Sequence, residues 1–153
     1  MLTRKMIMGI TLLETLFALA VGALVLVGAL LFYTSITQNS NVNKTVSDMN
    51  AIVTAYRAYA LGHVVTAATT IATLQNSNLL PNPFLNPWGA GYDAAVTVGN
   101  KGTAPTTVTI HIWNIRGAGQ TGGDPDCAAI GQTAQPTAQA VNSTQGCFFQ
   151  YTL

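Results

Sequence analysis

The most constraining feature of this sequence is an uninterrupted apolar run near its N-terminus. The eighteen residues from Leu16 to Tyr33, LFALAVGALVLVGALLFY, contain no charged or strongly polar side chain. As a helix they would cover about 27 Å, close to the ~30 Å hydrocarbon core of a bilayer, and Ile10 to Thr15 lengthen the segment further. Arg4 and Lys5 precede the run, so the positive-inside rule places the N-terminus in the cytoplasm. We therefore expect the chain after Tyr33 to be exported.

The overall composition points the same way, because charge is scarce. Only 7% of the residues are charged, against about 25% in ordinary soluble domains, and the net charge is +1. There is no basic excess for binding nucleic acid and no charge-rich composition of a disordered chain. Two histidines and five acidic residues, without a nucleophile, zinc or nucleotide motif, indicate that the protein is not an enzyme and uses no metal or cofactor.

One carboxylate, that of Glu14, lies at the edge of the apolar run and has to be explained. A charge inside a membrane helix costs about 2.5–3.5 kcal/mol, so such a residue usually has a partner and a function. A secretory signal peptide cut near Ala20 would be cleaved inside the apolar run and would hold this carboxylate in its core. A plain signal anchor fits the length but gives Glu14 no role. In a third interpretation, cleavage of the chain creates a new N-terminal amine that can pair with Glu14.

The residues Gly9 to Glu14 read GITLLE, after a short basic leader and before the apolar run. This combination resembles the class III signal of type IV pilins and of the related type II secretion pseudopilins. The resemblance implies that a prepilin peptidase cleaves after Gly9, removes the leader 1–9 and methylates the new amine of Ile10. It also implies that Glu14 pairs with this amine, within one subunit or between neighbours, and aligns an incoming subunit with the growing filament.

The helix is expected to continue beyond the membrane segment. No proline precedes Pro81, and Gly62 is a plausible stop, so we expect one helix from Ile10 to Leu61. Its part over 10–33 is apolar all round, and its part over 34–62 is amphipathic. The second part carries an apolar stripe whose residues are spaced alternately four and three apart. The stripe consists of Val42, Val46, Met49, Val53, Tyr56 and Ala60, and Ile52 and Tyr59 widen it.

The remainder, 63–153, is predicted to be a small α/β head. A short helix over Thr70–Leu80 would bury Ile71, Leu74 and Leu79 and end before Pro81. The best strand candidates are Ala94–Val98, Thr106–Ile115 and Cys147–Leu153. A hairpin turn is predicted at Gly99–Gly102, between the first two. In the second strand apolar and polar residues alternate: Val108, Ile110 and Ile112 on one face, and Thr107, Thr109 and His111 on the other. A three- or four-stranded antiparallel sheet would cover the amphipathic helix, giving a pilin-like α+β fold.

Two turns are predicted in the head. Asn86-Pro87-Trp88-Gly89 forms one of them, with Trp88 as a core anchor. Pilins and pseudopilins carry a similar turn at the start of their sheet, and pseudopilins usually have aspartate where Asn86 stands. Asp124-Pro125-Asp126 is predicted to be the other turn, with a weak calcium site as the alternative.

The two cysteines, Cys127 and Cys147, form an even pair in a predicted exported domain, which indicates a disulfide. Closing such a loop contributes about 3 kcal/mol in the chain-entropy model. The alternative, a metal site with His63 or His111, matches no standard ligand spacing. The enclosed region, 127–147, resembles the variable, surface-exposed C-terminal region of pilins.

The leading hypothesis is therefore a structural subunit of a type IV pilus, with roles in adhesion, motility, DNA uptake or conjugation. The chain would lie in the inner membrane before assembly and in a cell-surface filament afterwards. Its partners would be copies of itself, the prepilin peptidase, the assembly machinery and the membrane, with no nucleic acid evident. A type II secretion pseudopilin is the first alternative, although Asn86 and the disulfide count against it. A membrane-anchored binding protein that never polymerises is the second; type IVa or IVb, and major or minor subunit, stay open.

Overall fold

The computed structural model describes residues 12–99, 106–113, 115, 125–142 and 146–153. They form three helices and four strands, which we number in chain order. The elements are α1 (Leu12–Gly62), α2 (Ile71–Asn76), β1 (Tyr92–Thr97), β2 (Thr107–Trp113), α3 (Pro125–Ala134), β3 (Ala138–Asn142) and β4 (Gly146–Thr152). The chain divides into two compact units, 1–38 and 39–153, which we call the N-terminal segment and the head.

The described part of the N-terminal segment, 12–38, is entirely α-helical, and all of its residues are exposed. Alanine and leucine, which favour helices, are frequent here, and no proline interrupts the backbone hydrogen bonds. The predicted single helix is confirmed for the described residues, since α1 has 51 residues and ends at Gly62. Its predicted start at Ile10 lies outside them.

The sheet of the head has four antiparallel strands in the order β1-β2-β4-β3. Ile110 of β2 lies opposite Ala94 of β1 and Phe149 of β4, so β2 and β4 form the centre of the sheet. The three predicted strands are confirmed, with shifted ends. The fourth, β3, was not predicted and pairs with β4 inside the disulfide-bounded region.

The core lies between one face of the sheet and the amphipathic part of α1, which confirms the predicted α+β layout. Alternate residues of β1, β2 and β4 are buried on this face, as expected for a sheet with one covered face. The buried residues of α1 are Val42, Thr45, Met49, Ile52, Val53, Ala55 and Tyr56. The apolar residues buried on this face are Tyr92, Ala94 and Val96 of β1, Val108, Ile110 and Ile112 of β2, and Cys147, Phe149 and Tyr151 of β4.

Two predicted core positions are wrong. Ala60 is exposed, because the buried part of the helical stripe ends at Tyr56, while Val46 and Tyr59 are partly buried. Leu79 is 37% exposed and Leu80 is buried in its place. The reason is that α2 ends at Asn76 and Asn78 adopts a positive φ of 55°, which redirects the chain before Leu80.

The predicted turn at Asp124–Asp126 is also wrong for the residues that the structure describes. Pro125 and Asp126 open helix α3, while Asp124 lies outside the described residues, as does the predicted hairpin turn after Gly99. Proline suits the first position of a helix, where its missing N–H is not needed. A carboxylate in the first turn interacts favourably with the helix dipole. The Pro-Asp pair therefore starts a helix here.

Candidate assembly segment and disulfide-bounded region

The residues predicted to be processed lie at the N-terminal end of the chain. Gly9 and Ile10 fall outside the described residues, so their role stays a prediction. Glu14 occupies the first turn of α1, where a carboxylate is favoured by the helix dipole, and it is exposed. Glu14 belongs to the N-terminal segment, whereas both cysteines belong to the head.

The N-terminal segment carries a dense apolar surface. Fifteen large hydrophobic side chains between Leu12 and Ile36 are 46–80% exposed. Soluble monomers rarely expose apolar patches of this extent, which mark contact with lipid or protein. By length and composition α1 is able to span a membrane, a criterion that N-terminal signal sequences also satisfy.

The three threonines among the described residues of this segment keep their hydroxyl groups bonded within the helix. Thr15 donates to the carbonyl oxygen of Leu12 at 2.8 Å, and Thr34 to that of Leu31 at 2.9 Å. Thr37 donates to the Tyr33 carbonyl oxygen at 2.9 Å. A buried hydroxyl without a partner would be costly in an apolar medium. These local bonds remove that cost for the three hydroxyl groups.

The predicted disulfide is present and joins α3 to β4. The Cα atoms of Cys127 and Cys147 are 5.9 Å apart, and both side chains are completely buried. The region between them contains most of α3 and all of β3. The bridge therefore holds a helix and an edge strand against the central strand β4.

A carboxylate links the amphipathic part of α1 to the first strand. Asp48 forms an ion pair with Lys44 of the same helix at 2.8 Å. The same oxygen, Oδ2, accepts a hydrogen bond from the Tyr92 hydroxyl group, also at 2.8 Å. Burial, then the bond to this carboxylate, raise the pKa of Tyr92 above its ordinary value. Sequence reasoning did not assign Asp48 a partner, because Tyr92 lies 44 residues away.

Two more side chains of α1 bind distant backbone. The buried Tyr56 hydroxyl donates to the carbonyl oxygen of Thr69 at 3.0 Å and fixes the connection after the helix. Arg57 donates to the carbonyl oxygen of Thr152 at 3.1 Å, at the end of β4. The amphipathic part of α1 is thus joined to the head by polar bonds as well as by apolar packing.

The predicted turn at Asn86 is confirmed, and its asparagine does more than expected. The Gly89 amide donates to the Asn86 carbonyl oxygen at 3.0 Å, and Gly89 has a positive φ of 84°, which favours glycine. The Asn86 side-chain oxygen accepts from the amides of Trp88 and Ala90, both at 3.0 Å. Its nitrogen donates to the Trp113 carbonyl oxygen at 2.9 Å.

This buried amide has a structural role, because an ionised aspartate in its place would accept the first two bonds but donate nothing to Trp113. Trp88 packs partly buried against the core, as predicted. Among the residues that the structure describes, no group of three or more His, Cys, Asp or Glu side chains is placed to hold a metal ion.

The outer face of the sheet contains a buried histidine. His111, predicted on the polar face of its strand, is only 6% exposed. Its ring stacks on that of Phe148 with the centroids 3.9 Å apart. The centroid of the Trp113 ring lies 3.6 Å from that of His111. Burial lowers the pKa of His111, against the opposing effect of the Asp93 charge. Alternation placed His111 on the correct face, but gave no signal that its aromatic neighbours enclose it.

These observations define a protein with a long helix, apolar in its first part, and an α+β head that contains a disulfide. The chain matches no protein-family model, and no curated protein or solved structure is significantly similar to it. The interpretation of its function therefore rests on the residues and contacts described above.

Proposed function

We propose that this chain is a structural subunit of a type IV pilus. After removal of residues 1–9, the subunit polymerises through α1 into a filament on the cell surface, and before assembly it is anchored in the inner membrane. The observation that carries this proposal is the exposed apolar helix of the N-terminal segment, whose first described residues belong to the GITLLE sequence. The same helix continues into the head, where it forms part of the core.

The apolar surface has to be kept out of water both before and after assembly. Burying a Val, Leu or Phe side chain contributes about 1.5–3 kcal/mol, and fifteen large hydrophobic residues of the segment are exposed. Lipid satisfies this surface before assembly. Helices of neighbouring copies would satisfy it afterwards, and the bonded threonine hydroxyls impose no penalty in either environment.

Glu14 is proposed to give the packing its register. Cleavage after Gly9 creates an ammonium group at Ile10, one helical turn before Glu14. In an apolar surrounding this ammonium is a suitable partner for the carboxylate, because pairing offsets the cost of removing both charges from water. Pairing between neighbouring copies would favour one axial position over others.

The charge of the processed chain suits dense packing. Loss of Arg4 and Lys5 with the leader leaves four basic and five acidic side chains, a side-chain charge of −1. Subunits so close to neutrality repel each other little.

The proposal is tested by substituting Glu14 in cells that assemble the filament. Glu14→Ala should reduce the filament protein sheared from the cell surface by about tenfold or more, since a loss of 1.4 kcal/mol already changes an equilibrium tenfold. Glu14→Asp should retain part of the assembly. Thr15→Ala is the matched control, because Thr15 lies in the same turn and bonds only to its own helix.

Three outcomes distinguish the alternatives. Filament protein that depends on Glu14 and is released by shearing supports the pilus subunit. A chain that is processed but stays with the cell envelope indicates a pseudopilin of type II secretion. Surface protein that is unaffected by Glu14→Ala contradicts assembly through this residue and favours the anchored binding protein.

A further inference from the structure

The head contains a cavity that the proposed filament role does not use. Its volume is about 370 Å³, and it lies between α2, the loop before β1 and the start of β1. This volume falls within the range of ~300–1,000 Å³ that is typical of small-molecule sites. Its principal lining residues are Ile71, Gln75, Asn82, Phe84, Tyr92 and Asp93.

Polar groups with open bonding capacity meet at this cavity. Asp93 is exposed; its Oδ1 accepts from the Ala94 amide at 2.9 Å, which leaves Oδ2 available. Asn82 is exposed, and its side-chain amide has no protein partner in the described part of the chain. Gln75 donates through Nε2 to the Pro81 carbonyl oxygen at 3.0 Å and keeps its own oxygen as an acceptor.

The other walls of the cavity are apolar. The rings of Phe84 and Tyr92 pack with their centroids 5.1 Å apart, and Ile71 is buried beside them. The cavity thus combines an aromatic and aliphatic wall with one carboxylate and two carboxamides. A pyranose ring has matching chemistry, because its C–H face packs on apolar surface while its hydroxyl groups both donate and accept hydrogen bonds.

Other ligand classes use this lining less completely. An anion would meet the charge of Asp93, and no cation of the described residues lies within ion-pair distance of that carboxylate. A simple amine would pair with Asp93 but would leave the acceptor and donor capacity of Asn82 largely unused. A wholly apolar ligand would displace water from the open donor and acceptor atoms of Asp93, Asn82 and Gln75 without replacing its hydrogen bonds, which is costly.

We propose that this cavity binds a neutral pyranose ring of a carbohydrate, with Asp93 accepting bonds from its hydroxyl groups, Asn82 donating and accepting, and Phe84 packing against its C–H face. Every residue of the site lies in the head. Binding therefore does not depend on polymerisation, and failure of one proposal leaves the other standing.

The test is a titration of the full chain, solubilised in a detergent without a sugar headgroup, with a panel of neutral methyl pyranosides. Nuclear magnetic resonance follows the side-chain amide signals of Asn82 and Gln75. We expect at least one pyranoside to give saturable shifts in the millimolar range. Asp93→Asn and Asn82→Ala should each weaken this binding by about tenfold, because each removes hydrogen bonds to the ligand.

Thr109→Ala is the matched control, since Thr109 lies on β2 away from the cavity and should leave the affinity unchanged. Both cavity substitutions affect exposed side chains, and unchanged thermal unfolding would show that the head is intact. Butylammonium is the competing probe. The proposal is overturned if no pyranoside saturates, if binding ignores both cavity substitutions, or if only butylammonium binds.

Discussion

The two parts of α1 share one secondary structure but have opposite surroundings. Over 12–38 every residue is exposed, whereas between Val42 and Tyr56 seven residues are buried in the head. Both parts form their backbone hydrogen bonds within the helix, so the difference arises from the side chains alone. The second part has a sheet as its partner in the same chain. The first part has an apolar surface for which the described chain provides no cover.

Two free energies therefore have to be distinguished, that of unfolding the head and that of membrane insertion and assembly. Unfolding of the head depends on the core formed by the second part of the helix and the sheet. The proposed membrane insertion and assembly would depend on the first part. Substitutions in one part should therefore leave the property of the other unchanged, and each prediction below tests that separation.

The largest effect is expected from equal truncations in the two parts. Met49 is completely buried, and Met49→Ala should lower the free energy of unfolding of the head by about 2–5 kcal/mol. Leu24 is 72% exposed, and Leu24→Ala should change it by less than about 0.5 kcal/mol. Both tryptophans, Trp88 and Trp113, lie in the head, so denaturant unfolding followed by tryptophan fluorescence reports on the head. Similar losses in both variants would contradict the separation.

The next effect concerns the disulfide. Replacing Cys127 and Cys147 together by alanine should lower the free energy of unfolding of the head by about 3 kcal/mol, because the unfolded chain regains the freedom of the closed loop. Insertion of the chain into membranes should be unchanged. Chemical denaturation gives the first quantity, and resistance to extraction with alkaline carbonate gives the second. A variant that is lost from the membrane would show that the head is required for anchoring.

The effect that is smallest for a single residue and pH unit is a loss of stability of the head at high pH. Burial, together with the charge of Asp93, raises the pKa of Tyr56 to about 12. Burial raises the pKa of Tyr151 to about 12 as well. A pKa raised by folding means that the stabilisation is fully present below the unfolded value of about 10 and is lost as the pH rises towards 12. Each tyrosine should cost up to about 1.4 kcal/mol per pH unit in this window.

Equilibrium unfolding between pH 9 and about 12 measures this slope. Tyr56→Phe should reduce the dependence of the free energy of unfolding on pH by the contribution of one tyrosine. Tyr151→Phe should reduce it by a similar amount, because burial is the main cause of the raised pKa at both positions. An unchanged slope in both variants would show that neither phenol is kept protonated by the fold.

The comparison also explains which parts of the structure could be predicted. The helical stripe was largely identified because spacings of three and four residues are a local signal, and Met49, Val53 and Tyr56 are buried as expected. The same signal does not show where the partner surface ends, so Ala60 was assigned to the core in error. Likewise, local sequence did not distinguish Leu79 from Leu80.

Elements that depend on distant contacts were missed. The segment of β3 is small and uncharged, without a clear apolar alternation, and it is a strand because it pairs with β4. The bonds from Tyr92 to Asp48 and from Asn86 to Trp113 join residues 44 and 27 positions apart. The cysteine pair was predicted, because two cysteines in a chain that is expected to be exported have few alternatives. The processing residues Gly9 and Ile10 stay a prediction.

The central claim is that the chain is cleaved after Gly9 and then polymerises through its apolar helix. The most direct test is the intact mass of the chain recovered from filaments sheared off whole cells. We expect a methylated chain that begins at Ile10 and is two hydrogens lighter than the form with free Cys127 and Cys147 thiols. A chain that still carries residues 1–9, or one that has been cut near Ala20, would contradict it.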